Sequence, residues 1–330
     1  MVFDAVYYEP DSLKYELGLH LMEQYPDIPW IPIESHNSIK EMQEKPNSEF
    51  GHMKRNLIMG IRKTHKYVEN HKVSDYLVPF TSSGCTAMCL YCYLVCNYNK
   101  CAYLRLFVNR EQMLDRLLRR SLKEPGQTYE IGSNSDLVLE NTITGNLLYT
   151  IPRFAEEGNG SLTFPTKFHM VEPLLSLNHR GTVIFRMSVN PQPIISRIEL
   201  GTSSLKERIQ AVNQMCEAGY PCGLLIAPVI LTDGWKDMYR ELLEELEAGL
   251  SDKMKKTMFL EIILMTYSYV HRAINAEAFP AAPDLYSKEL MTGRGRGRYC
   301  YRQEARAEAE AFLRSEIRRV LGTVPVLYIS

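Results

Sequence analysis

The chain has 330 residues, of which 45% are hydrophobic and 23% are charged, and its formal net charge is −1. This length and composition predict one large α/β domain or two unequal folded domains. The almost neutral charge excludes a global basic field, so nucleic-acid binding would need a local basic patch.

Neither a signal-peptide pattern at the start nor an apolar run of eighteen residues is found in the sequence. The chain contains eight cysteines, and in a protein without an export signal they indicate a reducing compartment. We therefore expect a cytoplasmic protein without membrane contact.

Residues 1–75 predict an N-terminal α/β extension. Asp11 is expected to cap a helix that runs to about Tyr25, because Leu13, Leu17 and Leu21 recur at a spacing of four. A later segment, RNLIMGIRK, reads as a strand.

From residue 76 to about 285, apolar runs alternate with amphipathic helices. The strand candidates are YLVPFTS, AYLRLFVN, TYEIGS, SLTFPTKF, TVIFRMSVN, CGLLIAPVI and MFLEIILM. Helix caps are predicted at Asn109, at Ser203 or Ser204, and at Asp233. Strands that are apolar on both faces, each followed by a helix, predict a parallel sheet and a partial TIM-type (β/α)6 barrel. In such barrels the chemistry lies at the carboxyl ends of the strands.

Residues 286–330 predict a basic hairpin followed by a helix and a short strand. The helix is expected over about Gln303–Leu321, and VPVLYIS reads as the strand. The run GRGRGRYCYR places Arg294, Arg296 and Arg298 at every second position, so an extended backbone would point all three to one face. With Tyr299 they suit phosphate contacts and stacking on DNA, whereas the alternative is a flexible, solvated loop.

Five of the cysteines fall between positions 85 and 101. Cys85, Cys89 and Cys92 form a CxxxCxxC loop directly after the first predicted barrel strand. Thiolates suit iron–sulfur clusters, and three of them leave one iron of a 4Fe–4S cluster open to a small molecule. The alternatives are buried free thiols, or a zinc site completed by Cys96 or Cys101.

This loop, with aromatic Tyr91 before the third cysteine, resembles that of the radical SAM superfamily. The resemblance implies that the open iron chelates S-adenosylmethionine (SAM) and that reductive cleavage yields a 5′-deoxyadenosyl radical. The fold implied is the partial β/α barrel of the radical SAM type.

Over nearly its whole length the chain is similar to the spore photoproduct lyase family. The segments that carry the resemblance are SSGCTAMCLYCYL, YLRLFVN, YEIGSNSD, TKFHMVEPLL, FRMSVN, GTSSLKERIQAVNQMCEAGYPCG, IAPV, DGW and RYCY. The family implies a DNA repair lyase that reverses the thymine dimer 5-thyminyl-5,6-dihydrothymine to two thymines. It also implies duplex DNA containing that lesion as partner, and a flavodoxin or ferredoxin as external electron donor. We expect a monomer, located in the spore core if the organism forms spores.

The resemblance also assigns site residues. Cys85, Cys89 and Cys92 match the cluster ligands, and Tyr91 and Tyr93 match tyrosines that help to return the hydrogen. The positions that match SAM contacts, besides Tyr91, are Ser135, Lys167, Ser188 and Ala227. Without the resemblance, Lys167 could be a surface lysine, and both serines could serve turns or caps.

One position departs from the family pattern. The family has a hydrogen-donating cysteine where this chain has Ser133, and the stronger O–H bond of serine cannot replace a thiol. Cys96 or Cys101 is the substitute donor that we expect, with Cys300 more remote, whereas Cys216 and Cys222 suit packing.

Three functions therefore stay open at this stage. The first is the lesion lyase, and the second is a radical SAM paralogue with another substrate. The third is a zinc-binding, DNA-binding module without catalysis. Among the histidines, His36, His169 and His271 show no metal-ligand spacing and suit structural roles, with His169 the one to test.

Overall fold

The computed structural model describes residues 3–97 and 101–330, and it describes residues 96 and 97 without their side chains. The strands are β1 Ala5–Tyr8, β2 Trp30–Pro32, β3 Asn56–Gly60, β4 Val68–Glu69, β5 Tyr76–Leu77, β6 Ser82–Ser83, β7 Met88–Cys89, β8 Arg105–Phe107, β9 Thr128–Glu130, β10 Ser161–Thr166, β11 Val183–Val189, β12 Glu199–Leu200, β13 Cys222–Val229, β14 Phe259–Leu264, β15 Thr266–Ser268, β16 Met291–Gly293, β17 Arg298–Tyr301 and β18 Val326–Ile329.

The α-helices follow the strands in the order expected for an α/β chain. They are α1 Glu16–Gln24, α2 Lys40–Glu44, α3 Phe50–Lys54, α4 Leu94–Asn97, α5 Arg110–Lys123, α6 Leu137–Thr144, α7 Asn146–Glu157, α8 Gln192–Ile198, α9 Leu205–Glu217, α10 Trp235–Gly249, α11 Asp252–Thr257, α12 Tyr269–Ala278 and α13 Gln303–Leu321. Three short 3-10 helices cover Pro10–Lys14, Asn47–Glu49 and Glu172–Leu174. No helix in the described ranges is long and apolar enough to cross a membrane.

The chain forms two compact units that alternate along the sequence. The first unit contains Met1–Met88, Leu94–Thr166 and Ser176–Val183, and the second contains Cys89–Tyr93, Lys167–Leu175 and Ile184–Ser330. The three consecutive domains proposed from the sequence, 1–75, 76–285 and 286–330, stay a prediction.

In the first unit, β1 lies between β2 and β3, β8 follows β3, and all these pairs are parallel. The segment AYLRLFVN was expected in the barrel, but its strand β8 joins this N-terminal sheet. The reason is packing, because Leu104, Leu106 and Val108 share one buried apolar core with Leu57 and Met59. The segment YLVPFTS is also divided, since β5 pairs with β9 whereas β6 pairs with β8.

In the second unit, β11, β13, β14 and β18 form consecutive parallel pairs. Nearly every residue of β13 is buried, as expected for a strand covered on both faces. The Arg186 guanidinium donates two hydrogen bonds to the Glu261 carboxylate, at 2.7 and 2.9 Å, and both residues are buried. Tyr328 Oη also donates to Glu261, at 2.5 Å. This network joins β11, β14 and β18.

Two predicted helix caps are wrong, and a third is confirmed in position only. Asp11 lies inside a 3-10 helix, and α1 begins only after Tyr15. Asn109 is at the expected position, but its Oδ1 accepts from Arg62 N at 2.9 Å. Gly234 takes the place expected for Asp233.

The cap of α9 is confirmed at Ser204. Its hydroxyl accepts from Glu207 N, while the Glu207 carboxylate accepts from Ser204 N at 2.7 Å. This reciprocal pair satisfies two amide groups that the first turn of a helix otherwise leaves unbonded.

Candidate active site

The cysteine loop begins in the first unit with a tightly held backbone. Cys85 N donates to Ala102 O at 3.1 Å. The buried ammonium of Lys54 donates to Cys85 O at 2.7 Å and to Ala102 O at 3.0 Å. Gly84 has a φ of 77°, and a Cβ there would lie 2.0 Å from Tyr103 O. Glycine is therefore required immediately before the first cysteine.

The other two cysteines of the loop belong to the second unit. Cys92 N donates to Cys89 O at 3.1 Å, and Leu90 N donates to Ile198 O at 3.0 Å. Helix α12 supplies two further contacts to this segment. The His271 imidazole contacts Cys92 O at 2.9 Å through Nε2, and Asn275 Nδ2 donates to Leu90 O at 2.8 Å. Both side chains thus fix the turn that presents Cys92.

His271 is itself held from the neighbouring strand β15. Its Nδ1 lies 2.8 Å from Ser268 Oγ, and its ring stacks on Tyr267 at 5.2 Å between centroids. Burial lowers the pKa of His271, so the neutral imidazole is favoured. The sequence analysis assigned His271 only a general structural role and did not single out Asn275, because neither residue lies in a recognisable motif.

The three thiols of the loop are partly exposed, which suits binding of a group from outside the chain. In the described ranges no three Cys, His, Asp or Glu side chains are arranged around one metal-ion position. An iron–sulfur cluster takes each thiolate on a different iron, so its ligands need not converge on a single point. Soft donors of this kind fit the predicted cluster.

Tyr91 and Tyr93 differ sharply in their surroundings. Tyr91 is partly buried, and its hydroxyl donates a hydrogen bond to Glu199. Burial, and then the negative charge of Glu199, hold the pKa of Tyr91 well above its usual range. Tyr93 is 49% exposed. The phenol of Tyr93 is therefore the accessible one of the two.

Lys167, Ser188 and Ala227, three of the predicted SAM contacts, lie together in the second unit. Lys167 Nζ donates to Ser188 Oγ at 2.5 Å and to Ala227 O at 2.8 Å. It also lies 3.1 Å from Glu199 Oε1. Lys167 is therefore not an isolated surface lysine, and its ammonium is positioned by three oxygen atoms from separate parts of the chain.

Glu199 is the residue that the sequence analysis missed. It is 1% exposed and receives hydrogen bonds from Asn190 Nδ2 at 2.8 Å and from Arg208 Nη2 at 2.7 Å. Burial acts to raise the pKa of Glu199, but the charges of Lys167 and Arg208 outweigh it and lower that pKa to about 2. A charged carboxylate therefore links Tyr91 to Lys167.

Ser133 and Ser135 follow β9 in the first unit. Ser133 is partly exposed. Ser135 Oγ accepts a hydrogen bond from Ser82 Oγ at 2.7 Å, and its backbone bridges to Gly84. Ser135 is thus placed beside the segment that leads into Cys85, and its contact with SAM stays a prediction.

The described residues test only some of the substitute hydrogen donors. The side chain of Cys96 lies outside the described residues, so its donor role stays a prediction. Cys101 is 1% exposed, and its thiol contacts Phe50 O at 3.6 Å. Cys300 is buried in β17. Cys216 and Cys222 are buried, as expected for packing cysteines.

The arginines of the C-terminal segment lie on a hairpin rather than on one extended strand. Strands β16 and β17 are antiparallel, and Arg296, with a φ of 51°, lies in the turn between them. Arg294, Arg296 and Arg298 are exposed. Tyr299 packs against Tyr286 with 4.8 Å between ring centroids. The predicted hairpin is therefore confirmed, but its turn prevents the extended backbone that would point all three guanidinium groups to one face. The role of these arginines in DNA binding stays a prediction.

His169 has a local structural role. Its Nδ1 lies 2.8 Å from Ser203 Oγ, and its backbone N donates to the same oxygen at 3.1 Å. These contacts place it against the N-terminus of α9.

Comparison with known proteins gives a consistent result. The spore photoproduct lyase family matches residues 1–330. The spore photoproduct lyase of Bacillus subtilis (strain 168) is 31% identical over 98% of this chain and 97% of its own length. The lyase of Geobacillus sp. (strain Y412MC61) is 30% identical over 98% of both chains.

Solved structures agree with the sequence relatives. A mutant spore photoproduct lyase with bound AdoMet and dinucleoside spore photoproduct superposes with a TM-score of 0.92 at 27% identity. The match covers 100% of this chain and 99% of that one. It confirms the predicted α/β fold of the radical SAM type. The chain belongs to the spore photoproduct lyase family, and it is a radical SAM lyase.

Proposed function

We propose that this protein uses SAM and a 4Fe–4S cluster to reverse 5-thyminyl-5,6-dihydrothymine in DNA to two thymines. The observation that carries the proposal is the CxxxCxxC loop together with Lys167, which three oxygen atoms position in the second unit. A relative of the same fold has AdoMet and the dinucleoside lesion bound, which supports both ligands. The family match gives no support to a zinc-binding module without catalysis.

The residues of this chain fit the cofactors that the family implies. Cys85, Cys89 and Cys92 would hold the cluster through partly exposed thiols. When bound, the cluster and SAM supply the 5′-deoxyadenosyl radical. His271 and Asn275 hold the backbone carbonyls around Cys92, so we assign them the role of positioning residues.

Lys167 is the cation that we assign to the SAM carboxylate. Its ammonium is already surrounded by Ser188, Ala227 and Glu199, so a ligand carboxylate would replace one of these acceptors. The contact with Glu199 orients Lys167 before the ligand arrives. This arrangement reduces the conformational freedom that Lys167 loses on binding.

Return of the hydrogen is the step at which this chain departs from its family. Ser133 cannot donate a hydrogen atom, and the Cys101 thiol is buried against Phe50. The hydroxyl hydrogen of Tyr91 is engaged by Glu199. We assign the donation to Tyr93, because a phenolic O–H bond is weaker than that of serine and this ring is 49% exposed.

Anaerobic turnover on the lesion dinucleotide tests the proposal. The reconstituted protein is expected to release thymines and 5′-deoxyadenosine. The Tyr93→Phe variant should still cleave SAM but repair at least tenfold less, while Cys101→Ala should retain repair. If Cys101→Ala alone abolishes repair, the assignment of Tyr93 is wrong.

A second function is favoured by one observation, the serine at position 133. If the parent protein cleaves SAM but leaves the lesion intact, the chain is a radical SAM paralogue with another substrate. If it neither takes up iron nor cleaves SAM, both functions are excluded. We further propose duplex DNA as the bound form of the substrate and a flavodoxin or ferredoxin as reductant.

A further inference from the structure

A cavity lies in the first unit, at the carboxyl edge of the N-terminal sheet. Its volume is about 700 Å³, which suits a ligand of mononucleotide size. Each of four parallel strands contributes residues at or after its end: Glu9 after β1, His36 after β2, Arg62 after β3, and Phe107 on β8.

The strand order explains why a cavity forms at this edge. Strand β1 lies between β2 and β3. The connection after β1 therefore leads to β2 on one side, and the connection after β2 leads to β3 on the other side. The loops after such strands separate at this switch point and leave a crevice, where parallel α/β sheets bind their ligands.

The floor of the cavity is rigid. One oxygen of the Glu9 carboxylate accepts from His36 N at 3.0 Å and lies 2.8 Å from His36 Nδ1. The other oxygen accepts from Ile61 N at 3.0 Å. A Cβ at Gly60 would lie 2.5 Å from His36 Nδ1, so glycine is needed for this close approach. Both oxygens of the Glu9 side chain are thus engaged by groups within the protein.

The remaining charges of the lining are mainly basic. Arg62, Lys63, Lys66 and Arg105 line the cavity, against the single further carboxylate of Glu34. Lys63 and Lys66 are exposed, and neither forms a salt bridge within the described part of the chain.

Both arginines are preorganised. Arg62 Nε donates to Phe80 O at 2.7 Å, and its guanidinium lies 3.9 Å from the centroid of Phe107. Arg105 Nε donates to Ser83 Oγ at 2.9 Å. Guanidinium groups fixed in this way, with lysines at the rim, are typical of sites for phosphate groups.

We propose that this cavity binds a phosphate group, carried either by a free mononucleotide or by the DNA backbone. The site lies entirely within the first unit and uses none of the residues assigned above to the cluster, SAM or hairpin. Phosphate binding at this site can be measured without turnover. A protein that fails to repair the lesion can therefore be distinguished from one that fails to bind phosphate here.

Binding assays on the full-length protein, without turnover, test this site. Titrations with inorganic phosphate, thymidine 5′-monophosphate and uncharged thymidine are compared by calorimetry. We expect both phosphates to bind and thymidine to bind at least tenfold more weakly than its monophosphate. The double variant Lys63→Gln/Lys66→Gln should weaken monophosphate or duplex binding about tenfold, equivalent to about 1.4 kcal/mol. The matched control Lys40→Gln/Lys123→Gln, also exposed in the first unit, should change neither.

The duplex measurements identify the source of the phosphate. If the double variant binds duplex DNA normally but loses the monophosphate, the site takes a nucleotide. If it loses duplex affinity and the monophosphate competes with the duplex, the site takes the DNA backbone. The proposal is overturned if thymidine binds as well as its monophosphate, or if the double variant binds all phosphate probes like the parent protein.

Discussion

Replacing the buried carboxylate of Glu199 with an amide should destabilise the protein in a pH-dependent way. The interaction with Lys167 and Arg208 lowers the pKa of Glu199 from 4.5 to about 2. A difference of about 2.5 pH units corresponds to about 3 kcal/mol of folding free energy. Because the folded-state pKa is the lower one, this stability is present above pH 4.5 and is lost as the pH falls toward 2.

Urea unfolding of the parent protein and of Glu199→Gln, at pH 7 and at several values below 5, measures this effect. We expect the variant to be less stable by about 3 kcal/mol at pH 7, with a difference that shrinks below pH 4.5. The control Glu244→Gln, whose side chain is 54% exposed, should change stability by less than about 0.5 kcal/mol. A Glu199→Gln variant within about 1 kcal/mol of the parent at pH 7, or a deficit constant with pH, would refute the reasoning.

Three further predictions follow from the contacts described above. His271→Ala should reduce iron uptake on reconstitution, measured as iron per protein, because Cys92 O loses its contact with the imidazole. The control Arg272→Ala, on the same helix, should leave iron uptake unchanged. Ser133→Cys should raise the ratio of thymine released to SAM cleaved, since a thiol is restored, and an unchanged ratio would exclude a donor role for this position. Arg294→Gln should weaken duplex binding and lower the slope of log affinity against log salt by about 1, as measured by fluorescence anisotropy at several salt concentrations. A slope equal to that of the parent would mean that this exposed side chain contacts no phosphate.

Much of the fold could be predicted because its signals are local. Strands β10, β11, β13 and β14 are apolar runs, and α13 covers the predicted Gln303–Leu321. The capping box at Ser204 is also a pattern of neighbouring residues. At Asn109 the cap position was predicted correctly, but the side-chain amide hydrogen-bonds the distant backbone of Arg62 and not the first turn of α5.

The same distinction applies to the candidate site. The three cysteines and Lys167 could be identified from motifs and family resemblance. Glu199 could not, because it is a single carboxylate whose partners, Tyr91, Lys167 and Arg208, come together only in three dimensions. Asn275 is hidden for the same reason, since its partner Leu90 O is a backbone atom 185 positions earlier.

The alternation of the two compact units along the chain limits how this protein can be dissected. The polypeptide passes from one unit to the other after residues 88, 93, 166, 175 and 183. No single cut therefore separates two self-contained halves, and a shortened gene product ending anywhere before residue 184 lacks most of the second unit. Biochemical study of either ligand site will accordingly depend on point substitutions in the intact polypeptide.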